Sequence, residues 1–341
     1  MSEVAFSLAT RDDDAGIRRL LATSAMPGRI RMRFEREPDY FAGCPAMGAF
    51  TQVLVAKDAQ RVVGVACRAV QKMFINGVAE DVGYLGQLRV DAAYRGHRLV
   101  ARGFRRLREL HEDGRVRGYI TTIVESNVQA EGVLVRRSRG DMPRYRFLER
   151  LYTLAIPVGR RERLSTTETQ SPRGVHRDSA LLRELAPARN LFPAGEPHGE
   201  IVAVDGGVAA LNDQRSCKQT VVEGYDRLTA LARPLYNLIG PIRLPRPGAM
   251  LNHAYVTHFC VAEEEPRTAR ALIEDLRSRA RRQGLDHILL GFTEGDPLLP
   301  VVRTFRAVEY VSSIYTVAWD DDDDLHDRLD SRPRALDLSA L

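Results

Sequence analysis

Lysine is almost missing from this 341-residue chain: only Lys57, Lys72 and Lys218 occur, so 47 of its 50 basic residues are arginine. A GC-rich coding sequence accounts for most of that bias, and an arginine therefore carries functional weight only where it stands at a special place. The formal net charge is only +5, basic and acidic residues interleave, and no stripe alternates aromatic with basic residues. Nucleic acid is not an expected partner. Cysteine is as sparse: Cys44, Cys67, Cys217 and Cys260 stand far apart, without a CxxC or CxxH pair. That spacing suggests neither a zinc site nor a disulfide framework, so no metal is expected and the thiols should be free and buried. Long apolar runs are absent too. No stretch reaches the roughly 18 residues of a membrane span, and MSEVAFSLATRDDD has no basic segment followed by an apolar one. No membrane is expected as a partner, and the cytoplasm is the expected location.

What is present is the balance of a folded soluble protein, 44% hydrophobic and 28% charged residues. The length suits two domains of moderate size, each able to bury a core. VAFSLAT predicts a strand, and RDDDAGIRRLLATSAM a helix with Ile17, Leu20, Leu21 and Met26 at helical spacing. QVLVAKDAQRVVGVACRAV and NGVAEDVGYLGQLRV, joined by Asn76-Gly77, alternate like antiparallel strands. Over residues 98–112, Val100, Gly103, Phe104, Leu107 and Leu110 form an apolar stripe with Arg102, Arg105, Arg106 and Arg108 outside it. This predicts a surface helix packed on the sheet. GYITTIVESN follows as a buried strand, parallel to the one before the helix, so the helix starts at the carboxyl ends of both, where open α/β sheets usually bind ligands.

A Ser/Thr/Pro/Gly-rich stretch then marks a boundary. The expected organisation is a first domain over 1–165, a linker with a possible helix over 166–198, a second domain over 199–320 and a flexible acidic tail over 321–341. The second half repeats the order of the first: GEIVAVDGGVAALN as a hairpin, HAYVTHFCV as a strand, PRTARALIEDLRSRARRQG as a helix and DHILLGFTEGDP as a strand. The turns differ. Where the first half has AYRGHRLV, the second has AEEEPRTA, whose carboxylates suit a helix N-terminus but repel a phosphate. RLTALARPLYNLIGPIRLP is expected to pack in a core or between domains. Glu294 and Asp296 are expected to serve a turn, and His253 and His258, five apart on a strand, do not make a metal pair.

A strand, an Arg-Gly turn and a helix start aim unpaired main-chain N–H groups into one concavity. Gly96 lets the main chain approach a ligand closely, and Arg95 and Arg98 can add charged hydrogen bonds. LRVDAAYRGHRLV resembles the acyl-CoA motif of the GNAT superfamily of N-acyltransferases, an apolar-x-Val strand end followed by Arg/Gln-x-x-Gly-x-Gly/Ala. Arg95 matches its first position and Gly96 the common Arg-Gly opening, while Arg98 and Val100 stand where small residues are usual. VESNVQAEGVL is similar to the Asn-x-x-Ala start of the next family helix, and the likeness covers most of residues 4–158.

The resemblance implies an α/β fold of two tandem GNAT-like domains. Each would hold a mixed, mostly antiparallel sheet with a splayed parallel pair and flanking helices, and the second would be degenerate. It implies an N-acetyltransferase in which the amine of a small molecule attacks the thioester of acetyl-CoA, with no metal. The cofactor would lie against Leu88, Arg89 and Val90, whose amides polarise the carbonyl, against Arg95, Gly96, His97, Arg98, Leu99 and Val100, whose amides hold the diphosphate, and against Asn127. A base is required, with Glu125 and Tyr84 as the catalytic candidates ahead of Glu80 and Asp81. The family's usual thiolate-protonating Tyr is replaced by Leu134, which leaves Tyr84, Tyr145 or water for that step. A noncatalytic acyl-CoA sensor or scaffold stays open. So does an acyltransferase that takes a longer acyl chain from CoA or from a carrier protein docked on Arg102, Arg105, Arg106 and Arg108. Acceptor choice falls to residues 26–44, where Arg29, Arg31 and Arg33 either favour an acidic amine or are simply solvated.

Overall fold

The structure, a computed structural model, describes residues 4–25, 28, 30–95, 98–136, 142–159, 175–239, 244–319 and 325–341. In the first half the chain forms β1 (Ala5–Leu8), α1 (Asp14–Ala22), β2 (Ile30–Glu35), β3 (Phe50–Asp58), β4 (Arg61–Ile75), β5 (Val78–Val90), α2 (Leu99–His111), β6 (Tyr119–Val124), α3 (Val128–Leu134) and β7 (Arg144–Pro157). The second half forms α4 (Val175–Leu185), β8 (Phe192–Pro193), β9 (Glu200–Val204), β10 (Gly207–Asn212), β11 (Gln219–Tyr225), α5 (Arg227–Ile239), β12 (His253–Val261), α6 (Pro266–Arg282), β13 (His287–Thr293), α7 (Leu299–Arg303), β14 (Val308–Ala318) and α8 (Leu325–Arg328). The two halves follow the same order, as their parallel apolar patterns predict.

Twelve strands make one mixed sheet in the order β1-β3-β4-β5-β6-β14-β7-β13-β12-β10-β9, with β8 against β4. Two neighbouring pairs are parallel, β5 with β6 and β12 with β13, one in each half. The last strands are exchanged. β14 pairs with β6 of the first half, and β7 pairs with β13 of the second. Each exchanged strand is tied by burial: Leu154 and Ile156 of β7 enter the core built around β12, β13 and α6, and Ile314 and Val317 of β14 enter cores built on β5 and β6. Fully burying such a side chain contributes about 1.5–3 kcal/mol. A small second sheet also crosses the halves, because β2 pairs antiparallel with β11 from Ile30↔Tyr225 to Glu35↔Gln219.

The stripe on α2 packs as its spacing predicts: Phe104 and Leu107 are buried with Leu54, Leu85 and Tyr119, and Val100 and Leu110 lie against them. Beneath the β5–β6 pair, fully buried Arg68 donates to the Tyr119 hydroxyl at 2.8 Å and to both Asp113 oxygens at 2.7 and 2.8 Å. Gly83 is required at this crossing, since a Cβ there would come within 2.1 Å of the Tyr119 ring.

Three expectations are corrected. The tail expected to be flexible is packed over 325–341: Leu325, Leu336 and Leu338 are buried in the core that holds Tyr84 and Tyr255. Its apolar residues have sheet to cover, whereas the acidic run 320–324 lies outside the described residues. Helix α5 does not bury its apolar residues; Leu228, Leu231 and Leu238 are 80%, 83% and 81% exposed. Its polar side faces inward instead, with Arg233 and Asn237 donating to the Leu244 carbonyl at 3.1 and 3.0 Å. Residues 30–35, within the expected acceptor loop, form a paired strand. Arg33 there is bonded to Glu35 at 2.5 Å and Arg31 donates to the Tyr225 carbonyl at 3.3 Å, so neither is an unengaged anion receptor, while Arg29 lies outside the described residues.

Candidate functional site

Strands β5 and β6 are partners only at Gly83↔Tyr119 and Tyr84↔Ile120. Beyond that point the Thr121 hydroxyl, not a main-chain group, donates to the Leu85 carbonyl at 2.6 Å. Gln87 has φ +57°, and the register of β5 on β4 shifts between the Cys67↔Gly86 and Val65↔Arg89 pairs. This is a β-bulge, which bends the strand and interrupts its ladder. β5 thereby leaves β6, and a V-shaped gap opens in the sheet.

A cavity of about 210 Å³ occupies the gap and reaches both faces of the sheet. On the α2–α3 face it is lined by Phe104, Leu107, Asn127 and Leu134. On the opposite face Arg36, Tyr84, Lys218 and Tyr255 line it, and the exchanged strands contribute Thr153, Tyr310 and Ser312. Both halves therefore build one site. Among the described residues no Asp, Glu or His side chain lines it.

Tyr84 is buried in this cavity, and loss of water pushes its hydroxyl up to about 12, so the phenol is protonated near neutral pH. Tyr145 also lines it and is likewise raised by burial. Leu88 and Arg89 line it; Val90 turns instead towards Val63 and Leu99. Asn127 lines it and caps α3, accepting from the Ala130 amide at 3.1 Å. Arg95 and Arg98 are exposed at the turn before α2, and Gly96 and His97 lie outside the described residues. Arg98 is the N-cap of α2 at φ +56° and offers no side-chain cap to the first-turn amides. The side chains of Leu99 and Val100 go into cores, which leaves their main-chain N–H groups at the helix start.

Glu125 is not brought to the cavity. It is exposed, and its carboxylate is held by Arg150 at 2.8 Å. Glu80 pairs with Arg328, and Asp81 with Lys72 at 3.0 Å, both at the start of β5 remote from the bulge. Of the arginines on α2, Arg102 donates to the Val4 carbonyl at 2.6 Å and Arg106 pairs with Glu109. The residues that sequence reasoning missed are Arg36, Lys218, Tyr255 and Tyr310. Lys218 carried one signal, being one of three lysines in the chain and standing just before an apolar strand. Its ammonium donates to the main-chain oxygens of Leu338, Ser339 and Leu341 at 3.2, 3.1 and 2.8 Å and faces the Tyr255 ring, while burial and then the Arg36 charge pull it down to about 7.

The second half has the same device in a different state. β12 and β13 are parallel partners only over His253–Tyr255, and His258 has φ +52°, three residues before Val261 as Gln87 is before Val90. Here the cavity is about 30 Å³. Arg189, bonded to Asp296 at 2.5 Å and Glu264 at 3.3 Å, lines it together with Phe192, Leu336 and Asp337. Asp296 is thus a buried ion-pair partner as well as a turn residue, accepting from the Leu298 amide at 2.9 Å. Helix α6 is capped by its own Glu265, which accepts from the Thr268 amide at 2.5 Å. Among the described residues no three His, Cys, Asp or Glu side chains group as a metal site, and no helix is long and apolar enough to cross a membrane.

No protein-family model matches the sequence, and no curated protein matches it. Solved structures match in shape. N-myristoyltransferase of Saccharomyces cerevisiae, with bound myristoyl-CoA, is 10% identical with a TM-score of 0.57 over 98% of this chain and 84% of that one. A GCN5-related N-acetyltransferase from Anabaena variabilis is 10% identical with a TM-score of 0.49, covering 94% of this chain and 74% of that one. Another from Kribbella flavida is 12% identical with a TM-score of 0.44, covering 92% and 70%. With a parallel pair splayed at a bulge in each half, the chain shares the fold of the yeast N-myristoyltransferase.

Proposed function

We propose that the protein is an N-acetyltransferase that passes an acetyl group from acetyl-CoA to the amine of a small molecule by direct attack. The observation that carries this is the gap between β5 and β6, open through the sheet at about 210 Å³. A hole joining two faces lets a thioester enter from one side and an acceptor from the other, holding the reacting atoms together.

On the α2–α3 side, the uncapped first turn of α2, with Arg95 and Arg98 around it, receives the diphosphate of the donor. The amides at Leu88 to Val90, where β5 has left β6, polarise the thioester oxygen. The acceptor nitrogen bonds to the carbonyl carbon, and the C–S bond breaks to release the thiolate. Tyr84 is the donor suited to protonate that thiolate, because burial keeps its phenol neutral. With no Asp, Glu or His side chain among the described residues lining the cavity, the proton of the amine leaves to water.

Calorimetric titration with CoA and acetyl-CoA tests the reading. Saturable binding that Arg95→Glu with Arg98→Glu abolishes is expected, together with thiol release in the presence of an amine panel. No heat at millimolar CoA would sink it. Binding without turnover of any amine would leave a CoA-binding protein instead. Titration with myristoyl-CoA measures acyl length, a comparison prompted by the acyl-CoA held in the yeast structure.

A further inference from the structure

The end of the cavity opposite α2 and α3 holds positive charge that no Asp or Glu side chain among the described residues neutralises. Arg36, just beyond β2, is 2% exposed. Its guanidinium makes two long contacts, 3.4 Å to the Gly43 carbonyl and 3.6 Å to the Met47 sulfur, and no Asp or Glu forms an ion pair with it among the described residues. Among the described residues Arg89, half-buried at the bulged end of β5, donates to the carbonyl of its neighbour Leu88 alone, at 2.9 Å. Burial pulls its guanidinium below the usual range. The Tyr40 hydroxyl, fully buried and without a hydrogen-bond partner, feels both guanidinium charges.

This is not how the protein buries its other arginines. Arg68 is held by both oxygens of Asp113, and Arg189 by Asp296 and Glu264. Nor is Lys218 in the same state, since its three N–H groups are taken by the main-chain oxygens of Leu338, Ser339 and Leu341, where it acts as a prop for the cavity floor. A buried charge without a counter-charge is strongly unfavourable. Buried Arg36, with half-buried Arg89 beside it on the same cavity wall, is explained by a ligand that supplies the missing charge. Guanidinium forks match carboxylate and phosphate oxygens in pairs.

We propose that the acceptor is an anionic amine, a small molecule whose carboxylate or phosphate is bound by Arg36 and Arg89 while its amine faces the β5–β6 gap. This rests on the acyltransferase reading and adds the class of acceptor. It also accounts for the side of entry, because Arg36, Tyr84 and Tyr255 line the face away from α2 and α3.

The test uses the full chain saturated with CoA, titrated with L-aspartate against L-asparagine and with O-phosphoethanolamine against ethanolamine. The acid of at least one pair is expected to bind roughly 10–100-fold tighter than its uncharged counterpart, as for a hydrogen-bonded charge. Which pair shows the preference separates carboxylate from phosphate. Arg36→Gln is expected to remove the preference while CoA affinity is kept. Should that variant fail to bind CoA through misfolding, the acid-to-neutral ratio of the unmodified protein decides alone. Equal affinities within both pairs would overturn the inference and leave the acyltransferase reading standing. Failure of the unmodified protein to bind CoA would remove the reading beneath it, and the inference with it.

Discussion

The two halves of this protein carry the same backbone device and use it differently. In each, a parallel strand pair separates at a residue forced to positive φ, Gln87 in one and His258 in the other. The first gap stays open at about 210 Å³, and the second shrinks to about 30 Å³. The difference lies in what fills it. Arg189, Phe192 and residues 335–337 line the second gap, and Glu265 at the N-cap of α6 takes a first-turn amide, whereas Arg98 at the N-cap of α2 makes no such bond. A splayed strand pair makes room, but a ligand site exists only where the chain does not supply its own occupant and its own anion.

That contrast can be broken most severely at the plug. Asp296→Ala strands buried Arg189 with only the longer Glu264 contact, and a loss of about 3–5 kcal/mol is expected from urea unfolding. CoA affinity should not change, and a large change would show that the second gap serves the first.

The floor of the open gap gives a pH signature. Lys218 is pulled from its usual 10.5 to about 7, chiefly by burial. Between those values the unfolded chain keeps a proton that the native chain has released, so this group makes stability climb as pH rises from about 7 to about 10.5. The climb contributed by one group is at most about 1.4 kcal/mol per pH unit. Subtracting the stability profile of Lys218→Met should isolate it; two parallel profiles would refute the assignment.

Giving α2 the cap that α6 has sharpens the comparison further. Arg98→Glu places a carboxylate at the N-cap of α2, and CoA affinity is expected to fall about tenfold by calorimetry, through lost attraction and added repulsion at one helix start. Unchanged affinity would place the diphosphate elsewhere. The smallest effect belongs to Glu125→Gln. Its carboxylate is exposed and bonded to Arg150 outside the cavity, so kcat should move by less than about threefold and stability by no more than about 1 kcal/mol. A large fall in kcat would restore Glu125 as the base.

Much of the fold was legible in local pattern. The stripe through Phe104 and Leu107 identified α2, alternation identified β4 and β5, and the repeated element order identified two halves, because periods of 3.6 and 2 are written into neighbouring residues. The uncapped helix start after Arg95 was legible for the same reason. Glu125 misled, since its place at the end of β6 was readable but the reach of Arg150 from β7 was not. The packed segment 325–341 misled as well: its acidic lead-in looks solvated, while Leu336 and Leu338 find a core assembled from distant residues.

Sequence alone settled the elements from β3 to β6, the repeated order of the two halves and the chemical character of the turn before α2, each a property of residues within a few positions of one another. Only tertiary structure decided that β7 and β14 change places, that the second gap is plugged, and that Arg36 shares a cavity with Tyr84, Lys218 and Tyr255. Those outcomes depend on strand register and side-chain burial between residues far apart in the chain, and a short stretch of sequence carries no record of which partner will meet it.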